Sequence, residues 1–284
     1  MTESQSASPQ ATPFIGSELS DADFEAVRQL ILERCGFDLG HYKNPCIRRR
    51  IAARIRARGF RSVAPYLETL SHEEGEPEAL LGALTIHVSQ FFRNPSTFSA
   101  LGSRVLPKLV DRARRDGNRP LRLWSVGCAG GEEPYTLALL LAEMGETEVP
   151  IEILATDLSG AALQRGAAGV FETGRLGTVP PALRERYFEP CGKHFRLRED
   201  VRSRVVFRRH NILERGAYPA AELILCRNVL IYFSREEQQV ILRRFAADLP
   251  SGGYLVLGRA ETLLGDIRRL FTIEDPAERI YRRK

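Results

Sequence analysis

The chain has 284 residues, 43% of them hydrophobic and 27% charged, which is enough for two globular domains and excludes a wholly disordered protein. It contains no run of 18 apolar residues, so we expect neither a membrane span nor a signal peptide. Its 5 cysteines form no C-x-x-C pair, which argues against a zinc site or a disulfide framework and favours a reducing cytoplasm.

The first domain expected from the sequence is helical and covers residues 14–90. It follows residues 1–13, whose polar composition is typical of a disordered tail. The periodicity of apolar residues predicts four helices. The first runs from Ser20 to about Cys35, and the second follows the stretch CIRRRIAARIRARGF and ends at Gly59. In the second helix Ile47, Ile51 and Ile55 form one apolar stripe. The third lies near residues 63–70 and the fourth near residues 76–88.

The second of these helices is strongly basic. Between Asp38 and Glu68 the chain has no acidic residue, and the formal net charge of +5 comes from the Lys and Arg residues of this segment. Arg50, Arg54 and Arg58 are spaced one helical turn apart, and we expect them to bind an anionic partner, either nucleic acid or an acidic protein surface. A solvated face, whose aliphatic stems cover neighbouring apolar surface, is the alternative.

The second domain expected from the sequence is an α/β domain over residues 91–284. From residue 121 onward strands and helices alternate, which predicts a mostly parallel sheet covered on both faces. Residues 170–203 interrupt this rhythm and are expected to form an insertion with a small antiparallel sheet and little helix. The expected strands cover residues 121–126, 151–156, 204–209, 222–227 and 253–258, with a closing pair near 270–274 and 278–282.

A glycine-rich turn between the first strand and its helix indicates a cofactor site. The turn begins at Gly127 as G-C-A-G-G, which is neither a dinucleotide fingerprint nor a phosphate-binding loop. Asp157 ends the second strand and is placed to accept hydrogen bonds from ribose hydroxyls. A cofactor with a ribose but no pyrophosphate fits, and S-adenosylmethionine is the commonest such ligand. The alternatives are an ordinary connection and, for Asp157, a helix cap.

Two further motifs carry polar residues in apolar settings. TIHVSQFFR places His87, Ser89 and Arg93 next to an aromatic pair at the end of the helical domain.

The second motif, ILCRNVLIYF, places Arg227, Asn228 and Tyr232 after the fourth strand, and Asn211 follows the third strand. Ligands of open α/β sheets bind outside the carboxyl ends of the strands, so these side chains are candidates for binding. Loop capping is the alternative for both asparagines.

From about residue 18 to its end the chain resembles the CheR family, the chemotaxis receptor glutamate methyltransferases. The motifs that carry the resemblance are Phe91-Phe92-Arg93, the GEEPY turn from Gly131 to Tyr135, Asp157, and Cys226 to Phe233. The resemblance implies a small all-α N-terminal domain followed by a class-I, Rossmann-like methyltransferase domain with a small antiparallel β-subdomain as an insertion.

The resemblance also implies an activity, in which the methyl group of S-adenosylmethionine passes to glutamate carboxylates of chemoreceptors and leaves S-adenosylhomocysteine. Arg93 and Tyr232 are then expected to orient the substrate carboxylate, and no metal is involved. His87 and Ser89 stand where the family usually has Asn and Thr. Together with Gly127 of the turn, the residues expected to contact the cofactor are His87, Ser89, Arg93, Glu133, Asp157, Asn211, Ile212, Arg227 and Asn228.

The partners implied are the glutamate-rich cytoplasmic helices of chemoreceptors, with no nucleic acid, no direct membrane insertion and a monomeric enzyme. The short stretch from Glu189 to His194 predicts a tight turn. Family members that dock on a C-terminal receptor pentapeptide carry a longer loop there, so we expect no such tether. The alternatives are an RNA or DNA methyltransferase and a non-catalytic S-adenosylmethionine-binding scaffold. The chain lacks the Asn/Asp-Pro-Pro-aromatic motif used for exocyclic amines, which argues against the first.

Overall fold

A computed structural model describes residues 19–42, 44–84, 89–117, 119–145, 149–214 and 216–284. The chain divides into two compact units, Met1–Ile86 and His87–Lys284. The division falls before Ser89 and not at residue 90. The Ser89 and Phe91 carbonyls accept hydrogen bonds from Arg175 (3.2 Å) and Thr178 (2.7 Å), both of the second unit. None of the helices in the described ranges is long and apolar enough to cross a membrane.

The described part of the first unit contains four α-helices, as the sequence predicts. They are α1 (Asp21–Cys35), α2 (Asn44–Ala57), α3 (Val63–His72) and α4 (Glu76–Leu84). Ser20 caps α1 by accepting the Asp23 N–H at 3.1 Å, which satisfies a donor that the first turn leaves unpaired. The predicted stripe of Ile47, Ile51 and Ile55 is at most 4% exposed and forms core.

The second unit is built on two sheets. Its strands are β1 (Leu121–Val126), β2 (Ile151–Asp157), β3 (Val170–Glu172), β4 (Phe188–Cys191), β5 (His194–Leu197), β6 (Val205–Arg209), β7 (Leu223–Cys226), β8 (Tyr254–Leu257), β9 (Phe271–Asp275) and β10 (Ile280–Arg283). The large sheet has the order β6-β2-β1-β7-β8-β10-β9. Its first five strands are parallel and β10 is antiparallel to both neighbours. The predicted α/β architecture is thus confirmed.

Seven α-helices accompany these sheets in the described part of the second unit. They are α5 (Pro95–Ala100), α6 (Leu106–Arg115), α7 (Glu132–Glu143), α8 (Gly160–Ala168), α9 (Pro181–Tyr187), α10 (Glu199–Arg202) and α11 (Arg235–Asp248). A π-helical segment, Leu101–Val105, joins α5 to α6. No helix is predicted from the sequence between residues 91 and 120. Yet Phe98, Leu101 and Leu106 of this stretch are at most 1% exposed and belong to the core.

The insertion forms the expected small antiparallel sheet, in the order β3-β5-β4. The expectation of little helix was wrong, because α9 and α10 lie within it. Pro181 begins α9 at a position where its missing N–H costs nothing, and Leu183 and Tyr187 bury one face of the helix. Between β4 and β5 only Gly192 and Lys193 remain, with Gly192 at φ +61°. The predicted tight turn is therefore present.

Candidate active site

The candidate site lies at the carboxyl edge of the large sheet. Because β1, β2, β6 and β7 are parallel, the segments that follow them emerge at the same edge. The chain passes from β1 to β2 on one side and returns to β7 on the other, which makes β1 the switch point where ligands of such sheets bind.

The turn between β1 and α7 depends on glycine. Gly127 (φ +67°) and Gly131 (φ +92°) adopt left-handed backbone conformations that side chains disfavour. A Cβ at Gly127 would also lie 2.6 Å from Val229 Cγ2, and one at Gly131 would lie 3.0 Å from the Phe207 ring. Packing against these two residues accounts for both glycines, and cofactor contact by Gly127 remains a prediction.

Asp157 holds this turn in place. Its carboxylate is 7% exposed, and Oδ2 accepts the Ala129 N–H at 3.0 Å while Oδ1 accepts the Ser159 N–H at 2.9 Å. The side-chain cap of α8 comes from Ser159, which accepts the Ala162 N–H at 3.2 Å. Each Asp157 oxygen retains a further lone pair, so the carboxylate orders the loops and can still accept hydrogen bonds from a ligand.

Glu133 and Arg227 form an ion pair across the sheet edge. Arg227 Nη1 donates to Glu133 Oε2 at 3.2 Å, and Ser125 Oγ donates to Glu133 Oε1 at 2.9 Å. The side chain of Arg227 is 2% exposed and that of Glu133 is 13% exposed. Arg227 is therefore enclosed by protein, while Glu133 keeps one face open.

Arg227 also fixes the segment that carries Arg93. Its Nη2 donates to the Arg93 carbonyl and to Asn94 Oδ1, both at 2.8 Å, and its guanidinium lies 5.1 Å from the centroid of the Phe98 ring. Within the described residues its buried Nε has no hydrogen-bond partner. The segment is strained, since Phe92 and Asn94 have φ values of +51° and +61°. One buried cation thus joins α7, the end of β7 and the Phe92–Asn94 turn.

Glu261 is a functional candidate that sequence reasoning missed. Its carboxylate is buried and accepts the N–H groups of Gly258 (2.7 Å), Asn228 (2.9 Å) and Ile231 (3.2 Å). Burial raises the pKa of Glu261, and the backbone hydrogen bonds lower it by less than burial raises it. It therefore fixes the loop after β7. An acidic residue just past a strand end is the signal that identified Asp157, and it would have found Glu261 too.

Glu132 is a second residue that the sequence analysis missed. It is 3% exposed, Oε1 accepts Arg175 Nη1 at 3.4 Å, and the buried Oε2 has no partner among the described residues. Burial raises its pKa. Its neighbour Glu133 points to the sheet edge, so the two adjacent glutamates of the turn have different surroundings.

The remaining candidates sit in the loops that follow β6 and β7. Asn211 Oδ1 accepts the Leu213 N–H at 3.0 Å, which is the capping role weighed as its alternative, and the Ile212 carbonyl accepts the Tyr218 hydroxyl at 2.7 Å. Asn228 has φ +60° and Tyr232 is half-buried in a short 3-10 helix. His87 lies outside the described residues. Contact of these residues with a ligand stays a prediction.

The arginines of α2 and of the loop that follows it, in the first unit, are largely engaged within that unit. Arg54 forms a bidentate pair with Glu76 (2.9 and 2.6 Å), and Arg58 pairs with Glu73 at 2.5 Å. Arg50 donates to the Leu84 carbonyl. The compensating carboxylates lie outside the window that the sequence shows as acid-free, so part of the positive charge of this segment is neutralised within the unit.

Two other arginines of this region face outward. Arg49 and Arg61 are exposed, and neither forms a hydrogen bond or ion pair with the part of the chain that the structure describes. Substrate contact by Arg50, Arg54 and Arg58 stays a prediction, and Arg49 and Arg61 offer donors that no partner within the described residues occupies.

Comparisons with known proteins agree with this organisation. Residues 22–85 match the family model "CheR methyltransferase, all-alpha domain", and residues 87–278 match "CheR methyltransferase, SAM binding domain". Chemotaxis protein methyltransferase 1 of Pseudomonas aeruginosa is 34% identical over 253 residues, which are 86% of this chain and 91% of that protein.

Two further relatives differ in length. The chemotaxis protein methyltransferase of Klebsiella aerogenes is 35% identical over 86% of this chain and 84% of that protein. An uncharacterized 104.1 kDa protein of Rhodobacter capsulatus, from the hypE 3' region, is 35% identical over 84% of this chain, which spans only 25% of that protein. The two family models together cover most of the chain, and it belongs to the CheR methyltransferase family.

Proposed function

We propose that this chain transfers the methyl group of S-adenosylmethionine to glutamate side chains of chemoreceptors, forming methyl esters. The observation that carries the proposal is the Arg227 guanidinium, which joins Glu133 of the glycine-rich turn to the segment bearing Arg93. A carboxylate acceptor needs a cation beside the methyl donor, and this linkage fixes the Arg93 segment to the turn on which the donor binds.

The acceptor groups at the sheet edge fit S-adenosylmethionine, which supplies an electrophilic methyl group on a sulfonium when bound. Asp157 retains a free lone pair on each carboxylate oxygen and suits the two ribose hydroxyls. Glu133, with one face open, suits a cationic ammonium group. Asn211 and Asn228 follow β6 and β7 at the same edge and add amide donors and acceptors.

The residues of this site have to orient the substrate and need not remove a proton from it. A glutamate carboxylate has an ordinary pKa near 4.3 and is ionised at neutral pH, so the site requires no general base. Alignment of two reactants supplies roughly 7–11 kcal/mol of a barrier. We assign that role to Arg93 and Tyr232, with Arg227 holding the Arg93 backbone in position.

The acceptor is proposed to be a glutamate-rich helix, recognised by the basic surface of α2 and the loop that follows it. Because Arg54 and Arg58 are paired with Glu76 and Glu73, the outward Arg49 and Arg61 are better placed to supply the charge. Such contacts steer association and weaken with salt.

Such a substrate fits an enzyme of the cytoplasm. The enzyme is proposed to be monomeric and to need no tether at the receptor C-terminus. The two-residue turn at Gly192 and Lys193 supports the last point, because it leaves no open loop to pair with an extended peptide. Fluorescence anisotropy with receptor C-terminal pentapeptides tests it. Micromolar binding that maps to β4 or β5 would contradict this part of the proposal.

The activity is tested by incubating the full chain with radiolabelled S-adenosylmethionine and cytoplasmic receptor fragments. The expected label is released by mild base, as a methyl ester is, whereas a methylated amine or nucleobase retains it. Label on RNA or DNA in place of the receptor would establish the rival activity. Binding of S-adenosylhomocysteine with no transfer to any fragment or nucleic acid would support the scaffold alternative.

Variants at Arg93 show whether the label arises in this site. Arg93→Ala is expected to lower turnover about 100-fold, as loss of one charge-stabilising donor does, while S-adenosylhomocysteine still binds. Arg93→Lys keeps the charge and should recover part of the rate. Equal activity of all three proteins would remove Arg93 from the mechanism.

A further inference from the structure

A basic cavity lies at the edge of the large sheet opposite the candidate active site. Its volume is about 270 Å³. Tyr254 begins β8, whereas the cofactor loops follow the carboxyl ends of the strands parallel to it. The residues that line the cavity include Lys108, Arg112, Arg115, Gly252, Tyr254 and Arg282.

Two guanidinium groups converge in this cavity. Arg112 Nη1 lies 2.6 Å and Arg282 Nη2 lies 3.5 Å from the point that a Cβ of Gly252 would occupy. Arg112 Nη1 donates to the Ser251 carbonyl at 2.6 Å, which leaves its Nη2 without a partner among the described residues. Gly252 has φ +79°, so both its conformation and the space require glycine. The Arg282 side chain is exposed and Arg112 is half-buried. An anion between the two guanidiniums would reduce the repulsion of their like charges.

The carboxylates nearby leave Arg282 without a partner. Asp116 approaches Arg112 at Nε (3.7 Å), Asp111 pairs with Arg114 (3.1 Å) and Glu274 pairs with Lys108 (2.6 Å). Within the described residues the Arg282 side chain forms neither an ion pair nor a hydrogen bond. Its donors are therefore available on the cavity side.

A tyrosine hydroxyl completes the arrangement. Tyr254 is 2% exposed, pairs with Arg282 across β8 and β10, and its hydroxyl makes no hydrogen bond to the residues described. The hydroxyl oxygen keeps some exposure, so it can donate to a ligand atom or water that enters the cavity. A tyrosine hydroxyl is protonated at neutral pH and can donate, and burial raises the pKa of Tyr254 further.

From these observations we propose that the cavity binds the phosphate group of a small molecule, with Arg112, Arg282 and Tyr254 as donors. Paired guanidiniums match the oxygens of a phosphate dianion, which accepts several charge-assisted hydrogen bonds. A cavity of about 270 Å³ also has room for a small organic group on the phosphate. This site is independent of the methyl-transfer proposal.

Isothermal titration of the full chain, with the cofactor site saturated by S-adenosylhomocysteine, tests the site. Inorganic phosphate and ribose 5-phosphate are the two probes. Both are expected to bind, and Arg282→Gln should weaken each by about tenfold, as loss of a charged donor does. Tighter binding of the sugar phosphate would identify a monoester as the natural ligand, and equal binding would identify free phosphate.

Two further variants keep the outcome decisive. Tyr254→Phe removes only the hydroxyl and should weaken both probes by a smaller factor. Arg243→Gln is the matched control, since Arg243 pairs with Asp266 at the surface (3.2 Å) and should leave both affinities unchanged. No heat with either probe at millimolar concentration, or equal affinities in Arg282→Gln and the unmodified chain, overturns the proposal.

Discussion

The carboxyl edge of the large sheet and helix α2 both carry arginines that the sequence patterns single out, and the two regions use them differently. Arg227 is buried and joins three segments, one of which carries Arg93. On α2, Arg54 is held by the buried Glu76, while Arg49 is exposed. A motif thus identifies functional candidates. Whether such an arginine is available to a ligand or instead positions another residue depends on the partners that the fold gives it.

The largest effect is expected from Arg227→Met. This change removes the cation from a buried pair and leaves Glu133, the Arg93 carbonyl and Asn94 without their donor. Loss of one member of a buried ion pair costs about 3–5 kcal/mol of the free energy of unfolding. Urea denaturation measures it, and turnover should fall with it because the Arg93 segment loses its anchor.

Arg243→Met is the matched control, because its pair with Asp266 is exposed on both sides. Exposed pairs contribute about 0–1 kcal/mol, so this variant should denature close to the unmodified chain. If Arg227→Met were equally mild, the guanidinium would not be the link between the turn and the Arg93 segment.

The next effect concerns Asp157, where ligand contact and loop order are combined in one carboxylate. Asp157→Ala removes the carboxylate oxygens that accept the Ala129 and Ser159 N–H groups, and with them the proposed ribose contact, so affinity for S-adenosylhomocysteine should fall by about 2–3 kcal/mol. Asp157→Asn retains one acceptor oxygen and should lose less. Calorimetric titration of both variants separates ligand contact from loop ordering. Unchanged affinity in both would show that Asp157 only orders the loops.

The strands of the second unit were predictable because they are short apolar runs between turn signals. Their alternation with helices predicted a parallel sheet, and in such a sheet Asp157 and Asn228 lie at the same carboxyl edge. Periodicity carries this information because both faces of a parallel sheet are buried.

The partners of the polar residues were not predictable from the sequence. Glu133 and Arg227 are 94 positions apart, and Glu76 meets Arg54 across a separation of 22. Local patterns report propensity and burial, whereas such pairs depend on how helices and loops pack. For this reason the sequence showed that α2 is basic but not which carboxylates pair with its arginines. Nor did it show that Arg227 fixes the Arg93 segment.

A smaller effect, dependent on pH, is expected at Glu76. Burial acts to raise the pKa of Glu76, but hydrogen bonds from Arg54 and Tyr66 outweigh it, so the pKa in the folded chain lies below the ordinary value of 4.5. The ionised carboxylate therefore stabilises the fold fully above that value, and its contribution is lost as the pH falls through the lower, folded pKa.

Glu76→Gln removes this contribution. At neutral pH the variant should lose about 1–3 kcal/mol of the free energy of unfolding, since Arg54 keeps a weaker acceptor. Between pH ~5 and ~3 it should lose less further stability than the unmodified chain. Urea midpoints across this range measure the difference, and parallel curves for both proteins would show that Glu76 does not contribute to acid sensitivity.

The smallest effect is expected from the outward arginines of α2 and of the loop that follows it. Reversing charge at Arg49 and Arg61 together should raise KM for a receptor fragment several-fold at low salt, since exposed charge contacts are worth about 0–1 kcal/mol each. The effect should shrink as salt is added, while kcat, S-adenosylhomocysteine affinity and the urea midpoint stay the same. Arg54→Gln differs, because its loss should lower the midpoint by weakening the contact with buried Glu76. If Arg54→Gln raised KM at an unchanged midpoint and the double reversal did not, the inward arginines would be the ones that meet the receptor.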